Sequence, residues 1–235
     1  MKLTIENDNL VQLQTYLSLL SGISFETSMK FTDDGILMEA NQGGNIATKL
    51  ILKKEFFKEY EGEGTYGVFI SEISKVIKTI KTKLTITDEG DKINIIADKF
   101  KFKSPILEDL EKKQKLPELE FGTPIKITMI QVADIISKLK LVKSSQIKLQ
   151  VKDKKLNVLV STGKEDSGTG REMNFEVGDA DMEDCHINIQ TSYFEKLNIK
   201  SNDNLLLYIK NEYPFIAKIE KEDSELTYVV APLIE

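Results

Sequence analysis

Hydrophobic residues recur along the chain in two spacings that alternate with each other four times. In the first spacing, apolar residues lie three or four positions apart, as on one face of a helix. In the second, which follows the first along the chain, apolar and polar residues alternate in two stretches on either side of a polar turn, as in a pair of strands. Each repeat therefore predicts a helix, a strand, a tight turn and a second strand. The helical stripes are Leu10, Leu13, Leu17 and Leu20; Ile73, Val76, Ile77 and Ile80; Val132, Ile135, Ile136 and Leu139; and, in a shorter form, the segment TSYFEKLNI at 191–199.

The four polar turns predict a duplicated building block. They lie at 32–35, 88–91, 152–155 and 210–214, with a repeat period of about 55 to 65 residues. Further strands are predicted at NIATKLILK, TYGVFI, KFKFKSPI, REMNFEV and CHINIQ. Sheet therefore dominates over helix. We predict an α+β fold of two similar domains, each with antiparallel sheets and two helices whose apolar stripes face the same sheet.

The segment ILEDLEKKQKLPELEFG at 106–122 separates the second repeat from the third. It is rich in charged residues, and Pro117 removes a backbone donor and favours an extended Leu116. Because apolar residues recur through it, part of this segment should lie on an apolar surface. We predict an N-terminal domain at 1–105, a connector at 106–121 and a C-terminal domain at 122–235.

Composition narrows the class of protein. The chain has 235 residues, 40% hydrophobic and 30% charged, with one cysteine, Cys185. This balance is typical of a soluble globular protein in a reducing compartment. The chain shows neither a signal peptide nor an apolar run long enough to span a membrane. We therefore expect a cytoplasmic protein without membrane contact.

Lysines lie on the helix faces opposite the apolar stripes, although the net charge is −6. Two interpretations are open: these lysines belong to helix faces that are simply exposed to solvent, or they form a surface that binds phosphates. Arg171 is the only arginine, so reading of base edges is not expected. The lysines on or close to the predicted helices are Lys75, Lys78, Lys81, Lys83, Lys138, Lys140, Lys143, Lys196 and Lys200.

No catalytic motif stands out. His186 is adjacent to Cys185, so in a strand their side chains point to opposite faces. The glycines of GKEDSGTG at 163–170 lack the ending of a phosphate loop. Asp179, Asp181 and Asp184 lack the central glycine of a calcium loop. We expect no metal, no cofactor and no enzymatic activity.

Several segments together resemble the DNA sliding clamps of the proliferating cell nuclear antigen (PCNA) family, and the connector resembles that of the archaeal members. They are the C-terminal YVVAPLIE at 228–235, the connector sequence LPELEF at 116–121, the turn DDGI at 33–36 and the helix SEISKVIK at 71–78. The resemblance covers the whole chain. It implies a DNA-clamp fold whose subunits assemble as a trimeric ring, with helices lining the hole and duplex DNA bound there through phosphates.

The same resemblance implies protein contacts. Peptides of DNA polymerase, clamp loader, ligase and nuclease would bind under the connector, and edge strands of neighbouring subunits would pair. The implied peptide pocket consists of Asn41, Ile46, Leu116, Pro117, Pro214, Ala231 and Pro232. The implied subunit interface consists of Phe100, Phe102, Pro105, Arg171, Met173 and Phe175.

Three alternatives stay open at this point. The first predicted helix, Asn9 to Leu20, contains no lysine or arginine, so the ring could be a homotrimer or a heterotrimer. A repair-specialised clamp is a related possibility. An adaptor of the same fold that binds proteins without encircling DNA is the third. The clamp interpretation implies a processivity factor for replication and repair, associated with the nucleoid of a prokaryote.

Overall fold

The structure is a computed structural model that describes residues 1–97, 99–107, 119–162, 170–199 and 203–233. The chain divides into two compact units. The first unit comprises Met1–Pro117 and Glu220–Thr227, and the second comprises Glu118–Ile219 and Tyr228–Glu235.

The first unit contains two helices and most of the strands. Its helices are α1 (Asn7–Ile23) and α2 (Ile70–Ile77), and a 3₁₀ turn spans Lys54–Phe56. Its strands are β1 (Lys2–Glu6), β2 (Thr27–Thr32), β3 (Gly35–Gln42), β4 (Ile46–Lys53), β5 (Glu59–Glu61), β6 (Gly64–Val68), β7 (Lys83–Glu89), β8 (Lys92–Ala97) and β9 (Phe100–Pro105).

Two antiparallel arrays of strands form the first unit. One has the order β5-β1-β7-β8-β9. In the other, β4, β3, β2 and β6 are neighbours in that order, and β4 also pairs with the beginning of β17 (Ser224–Val230). Gly35 closes the β2–β3 hairpin at φ 139°, where a Cβ would collide with the Leu52 carbonyl oxygen. Glycine is therefore required at this turn.

Helix α1 buries its whole predicted stripe, and the predicted stripe of α2 is buried except for Val76, which is half-buried. Leu10, Leu13, Leu17 and Leu20 are all buried. The two helices also contact each other, because the Gln14 side-chain amide donates to the backbone oxygens of Ile77 (2.9 Å) and Ile80 (2.8 Å). Helix α2 is shorter than the stripe predicted, since Ile80 lies beyond its last residue.

The second unit repeats this construction. Its helices are α3 (Met129–Val142) and the single turn α4 (Thr191–Phe194), which continues as a 3₁₀ turn over Glu195–Leu197. Its strands are β10 (Ile125–Thr128), β11 (Gln146–Lys152), β12 (Lys155–Ser161), β13 (Glu172–Asp179), β14 (Cys185–Gln190), β15 (Asn204–Tyr208), β16 (Phe215–Glu220) and the remainder of β17.

The strands of the second unit are also antiparallel. One sheet has the order β13-β12-β11-β14, and the other strands follow the order β10-β15-β16-β17. Helix α3 begins with a capping box, in which the Thr128 hydroxyl accepts from the Gln131 backbone and the Gln131 side chain accepts from the Thr128 backbone. Such a box satisfies two otherwise free donors at a helix start.

The predicted α+β class is confirmed, and the predicted hairpins lie where the turns placed them. Strands β5 and β10 and the strand character of 224–230 were not predicted, because β5 and β10 are short and the C-terminal run is almost fully buried and does not alternate. Continuous apolar runs do not distinguish a buried strand from a helix.

Candidate functional site: helix lysines, strand edges and the connector

The lysines of α2 lie on the exposed side of the first unit. Lys75 is exposed on α2, Lys78 is the residue after its last turn, and Lys81 follows in the chain. None of the described residues forms an ion pair with these three lysines. Their ammonium groups are available for an external anion.

Lys83 does not belong to this helix face. It is the first residue of β7, and its Nζ lies 3.3 Å from Glu6 Oε1. Lys58 binds the other oxygen of the same carboxylate at 2.8 Å, and this contact holds the pKa of Glu6 below its usual value. The prediction that Lys83 extends the α2 lysines is therefore wrong in its placement, because the helix ends six residues earlier.

Helix α1 carries no lysine or arginine, as its sequence indicated, and Asp8 lies in its first turn, but a lysine from a distant segment approaches the helix. Lys221 Nζ donates to Gln12 Oε1 at 3.0 Å. The Gln12 amide nitrogen donates to the Tyr16 hydroxyl and to the Ser224 hydroxyl, both at 2.7 Å. Sequence reasoning missed this cation, since Lys221 and Gln12 are 209 positions apart.

Lys138 of α3 is engaged within the second unit. Its Nζ lies 2.6 Å from Asp134 Oδ2, one helical turn earlier, and 4.3 Å from the centre of the Phe175 ring. A cation over an aromatic face gains electrostatic stabilisation. The expected role of Lys138 in binding phosphates therefore competes with a contact that joins α3 to β13.

The other lysines of the second unit are placed differently from one another. Lys140 and Lys143 are exposed and border a recess of about 580 Å³ that Ser145, Ser192 and Glu195 also line. Lys196 is half-buried in the 3₁₀ turn, so it matches the prediction less closely. Lys200 lies outside the described residues.

Among the described residues, six strands lie at the end of a sheet, namely β5, β6, β10, β14, β9 and β13. The predicted interface residues lie on or beside two of them, β9 in the first unit and β13 in the second. Each carries apolar residues on the face that points toward its own core. Phe102 lies opposite the buried Ile95, and Phe175 lies opposite the buried Val158. Open strand edges invite pairing with another chain.

The remaining predicted interface residues lie on or beside these edges. Phe100, which is 39% exposed, and Pro105 are the first and last residues of β9. Met173 is half-buried on β13, and Arg171 immediately precedes that strand. The structure therefore gathers the predicted residues into two edges.

Charged residues accompany both edges. Glu89 Oε2 lies 2.8 Å from Lys103 Nζ and 3.5 Å from Lys101 Nζ. The hydrogen bonds from Lys103 and Asn94, with the charges of both lysines, lower the pKa of Glu89 to about 2. Beside β13, Lys155 Nζ contacts both Glu176 (3.1 Å) and Asp179 (2.6 Å).

The end of the connector is fixed on the β15–β16 hairpin of the second unit. The Glu120 backbone N–H donates to the Tyr213 hydroxyl at 2.7 Å. The Phe121 ring packs edge-on against Tyr208 at 5.1 Å between centroids, with Lys218 Nζ 5.2 Å from its centre. The expected apolar contact of the connector is observed at Phe121, whereas Tyr208 and Tyr213 were not anticipated as its partners.

The predicted peptide-pocket residues are divided between the two units. In the first unit, Asn41 Oδ1 accepts from the Gly44 backbone at 3.0 Å, and Ile46 is only 1% exposed. Ile46 is therefore a core residue that offers no surface to a peptide. In the second unit, Pro214, Ala231 and Pro232 are half-buried. Leu116 and Pro117 lie outside the described residues.

The C-terminal segment of the second unit is held in place beside these prolines. The Leu233 backbone N–H donates to the Asn188 oxygen at 2.8 Å. The buried Tyr228 hydroxyl donates to the Tyr193 oxygen at 2.6 Å, and burial raises its pKa strongly. Ala231 and Pro232 are thus presented by an ordered segment between two fixed points.

The groups weighed as catalytic or metal-binding have structural partners. Cys185 Sγ lies 3.5 Å from the Ile209 oxygen, and burial raises the pKa of its thiol. Asp179 and Asp181 pair with Lys155 and Lys154, and Asp184 accepts from the Asp153 backbone. Most of GKEDSGTG lies outside the described residues. Across the described ranges, no cluster of three or more metal-binding side chains occurs.

None of the helices that the structure describes combines the length and the apolar character that crossing a membrane requires.

Two sequence relatives of this chain are DNA polymerase sliding clamps. No protein-family model matches. A DNA polymerase sliding clamp of Pyrococcus horikoshii is 23% identical over 228 residues, and one of Pyrococcus abyssi is 24% identical over 230 residues. Each alignment covers 89% of this chain and 90% of the relative.

Solved structures of similar shape belong to the same group. One is a structure described as the C-terminal region of FEN-1 bound to A. fulgidus PCNA, which matches this chain with a TM-score of 0.84 and 16% sequence identity. The match covers 100% of this chain and 98% of the matched chain. The structure of the PCNA2–PCNA3 complex of Sulfolobus tokodaii matches with a TM-score of 0.82 and 15% sequence identity, over 100% of this chain and 100% of the matched chain. The predicted DNA-clamp fold and the resemblance to archaeal clamps are confirmed.

Proposed function

We propose that this chain, a sliding clamp of the archaeal PCNA type, encircles duplex DNA as a subunit of a trimeric ring and tethers replication and repair enzymes there. The observation that carries this proposal is the exposed lysine face of α2 and α3 on a chain of net charge −6. A protein that holds DNA without reading it needs phosphate contacts and no base-specific side chains. The single arginine agrees with that requirement.

The open edges of β9 and β13 support a ring. Pairing of unlike edges, β9 of one copy with β13 of the next, is a head-to-tail contact, which closes into a ring when the rotation fits. The apolar residues Phe102 and Phe175 would meet on one face of the joined sheet. The ring itself carries out no chemistry, and its role is to keep partner enzymes close to their template.

Enzyme partners would bind as short peptides near the connector. One structural relative is a complex of PCNA with the C-terminal region of FEN-1, and we propose that this chain receives DNA polymerase, clamp loader, ligase and nuclease in the same manner. The fixed residues Glu120 and Phe121 and the ordered C-terminal segment support a preformed docking surface. Preformed surfaces lower the ordering cost of binding.

A heterotrimer is the second candidate assembly. Helix α1 presents no lysine or arginine, so this subunit would contribute unevenly to the charge of the hole. A complex of two different clamp subunits, PCNA2 and PCNA3, is among the structural relatives. The solution mass of the purified chain separates the two, because a homotrimer has three times 26.6 kDa.

The proposed function predicts retention by topology. After loading, the protein should persist on circular DNA and leave linear DNA within seconds to minutes through the free ends, because a closed ring slides without being held tightly. Blocking both ends of the linear template with bound protein should restore retention. Equal retention on open linear and circular templates would contradict encirclement and favour the adaptor interpretation.

Peptide docking gives a second prediction. Changing Leu116 and Pro232 to glutamate should remove most of the stimulation of a partner DNA polymerase, since apolar contacts carry most of the affinity of docked peptides. The measure is primer-extension length with the mutant ring. Glutamates at Phe25 (57% exposed) and Ile130 (82% exposed) are a matched control that should leave stimulation intact. Full stimulation by the first variant would place docking elsewhere.

A further inference from the structure

The open edge of β9 carries two kinds of side chain on its two faces. Phe102 faces the core side, opposite Ile95, whereas Lys103 lies opposite Asn94 on the other face. Lys101 shares that outer face because side chains alternate along a strand. We call Lys101 and Lys103 the lysine stripe.

The open edge of β13 has the same alternation with the opposite charge. Met173 and Phe175 face the core side, opposite Val160 and Val158. Glu172 and Glu176 lie on the outer face, opposite Ser161 and Asn157. We call these two acids the glutamate stripe.

Neither stripe is neutralised by its own unit. One carboxylate, Glu89, forms ion pairs with both Lys101 and Lys103, so the formal charges of these three residues sum to 2 − 1 = +1. Within the described part of the chain, the glutamate stripe has one contact with an ammonium group, between Glu176 and Lys155, so the charges of Glu172, Glu176 and Lys155 sum to 1 − 2 = −1, and Lys155 is also shared with Asp179. Each edge therefore presents an excess charge, positive on β9 and negative on β13.

We infer that the lysine and glutamate stripes select pairing between unlike edges, with a second copy of this chain as the partner. When β9 meets β13, apolar residues face apolar residues on one side and lysines face glutamates on the other. Pairing of β9 with β9, or of β13 with β13, sets like charges opposite each other, which is destabilising. The stripes thus disfavour a two-fold dimer and favour head-to-tail association.

This inference rests on the proposed ring and adds what determines its direction. Edge pairing by backbone hydrogen bonds alone does not distinguish like from unlike edges, since both offer the same groups. The distinction must come from side chains. The stripes supply it on the outer face, where Lys101, Lys103, Glu172 and Glu176 are all exposed.

Charge exchange tests the inference. The variants K101E/K103E and E172K/E176K each carry two edges of one sign, and each should dissociate about tenfold or more readily than the unaltered chain. The fourfold variant that combines them carries complementary edges again and should recover to within about threefold. It should also fail to exchange subunits with unaltered protein. Sedimentation over a concentration series and fluorescence energy transfer between labelled subunits measure these effects.

The matched control K30E/K126E makes the same charge change as K101E/K103E at exposed strand lysines away from both edges. It should assemble normally. A fourfold variant that keeps the circular dichroism and unfolding midpoint of the unaltered chain but stays dissociated would overturn the inference, as would unchanged assembly of either double variant.

As a second measurement, assembly of the unaltered chain should weaken between about 50 and 500 mM salt, since exposed charges are screened. Assembly that is independent of salt contradicts the stripes.

The outcomes also separate this inference from the proposed function. If unaltered protein forms trimers that persist on circular DNA while the charge exchange has no effect, only the stripes are wrong. If the unaltered protein is monomeric at every concentration and does not remain on circular DNA in the absence of other clamp subunits, both the homomeric ring and the role of the stripes are contradicted.

Discussion

Changing Phe175 to aspartate should convert the assembled protein into monomers of 26.6 kDa. Phe175 lies on the open edge of β13, opposite Val158 and beneath Lys138 Nζ at 4.3 Å. A carboxylate at this position places a charge in the apolar contact that the edges would form. Loss of a central aromatic contact costs about 2 to 4 kcal/mol, or roughly 30-fold to 1000-fold in affinity.

Light scattering coupled to size exclusion gives the mass directly. Phe25→Asp is the control, because Phe25 is similarly aromatic and exposed but lies far from both edges in sequence. It should leave the mass unchanged. If Phe175→Asp keeps the mass of the unaltered protein, the subunits associate through another surface.

Removal of Lys75, Lys78, Lys140 and Lys143 together should weaken DNA binding and flatten its dependence on salt. Each neutralised phosphate releases counterions, so the slope of log affinity against log salt should shrink by about 0.9 for each lysine that contacts a phosphate. Fluorescence anisotropy with a short duplex at about 50 to 200 mM salt measures the slope. Lys138→Ala should change the slope less, since Lys138 is paired with Asp134.

Alanines at Lys30, Lys54, Lys126 and Lys152 form the control set. They remove the same charge from exposed positions outside α1 to α4 and should leave the slope nearly unchanged. A similar loss in both sets would show that bulk charge, and not the helix face, governs binding. Stronger binding to one base sequence would contradict phosphate recognition.

Much of the fold follows from periodicity, because helix α1 and helix α3 each bury one regular stripe and the hairpins have clear turn residues. The partners of the lysines do not follow from periodicity. Lys138 lies on the polar side of its helix, as the unengaged Lys75 does, and only the position of Phe175 on a folded β13 shows its contact. Lys221 is similar, since its acceptor on Gln12 lies at the other end of the chain.

Edge residues were found for a different reason. Their roles came from a resemblance along the whole chain, whereas the charge on the outer face became visible only with the strand register. Ile46 shows the limit of such transfer. A residue at a matching position can be completely buried in this chain, because neighbouring side chains decide how deep a position lies.

The division of β17 determines the order in which the chain can fold during synthesis. Glu220–Thr227 belong to the first unit, although the whole of 118–219 is translated before them. Until those residues leave the ribosome, β4 lacks its neighbour, and Thr48 Oγ1 lacks the Thr227 oxygen that it reaches at 2.8 Å. A nascent chain or a fragment ending at residue 117 would expose the unpaired edge of β4, a known hazard for aggregation. The first unit is therefore begun early and completed only after most of the second unit has been synthesised.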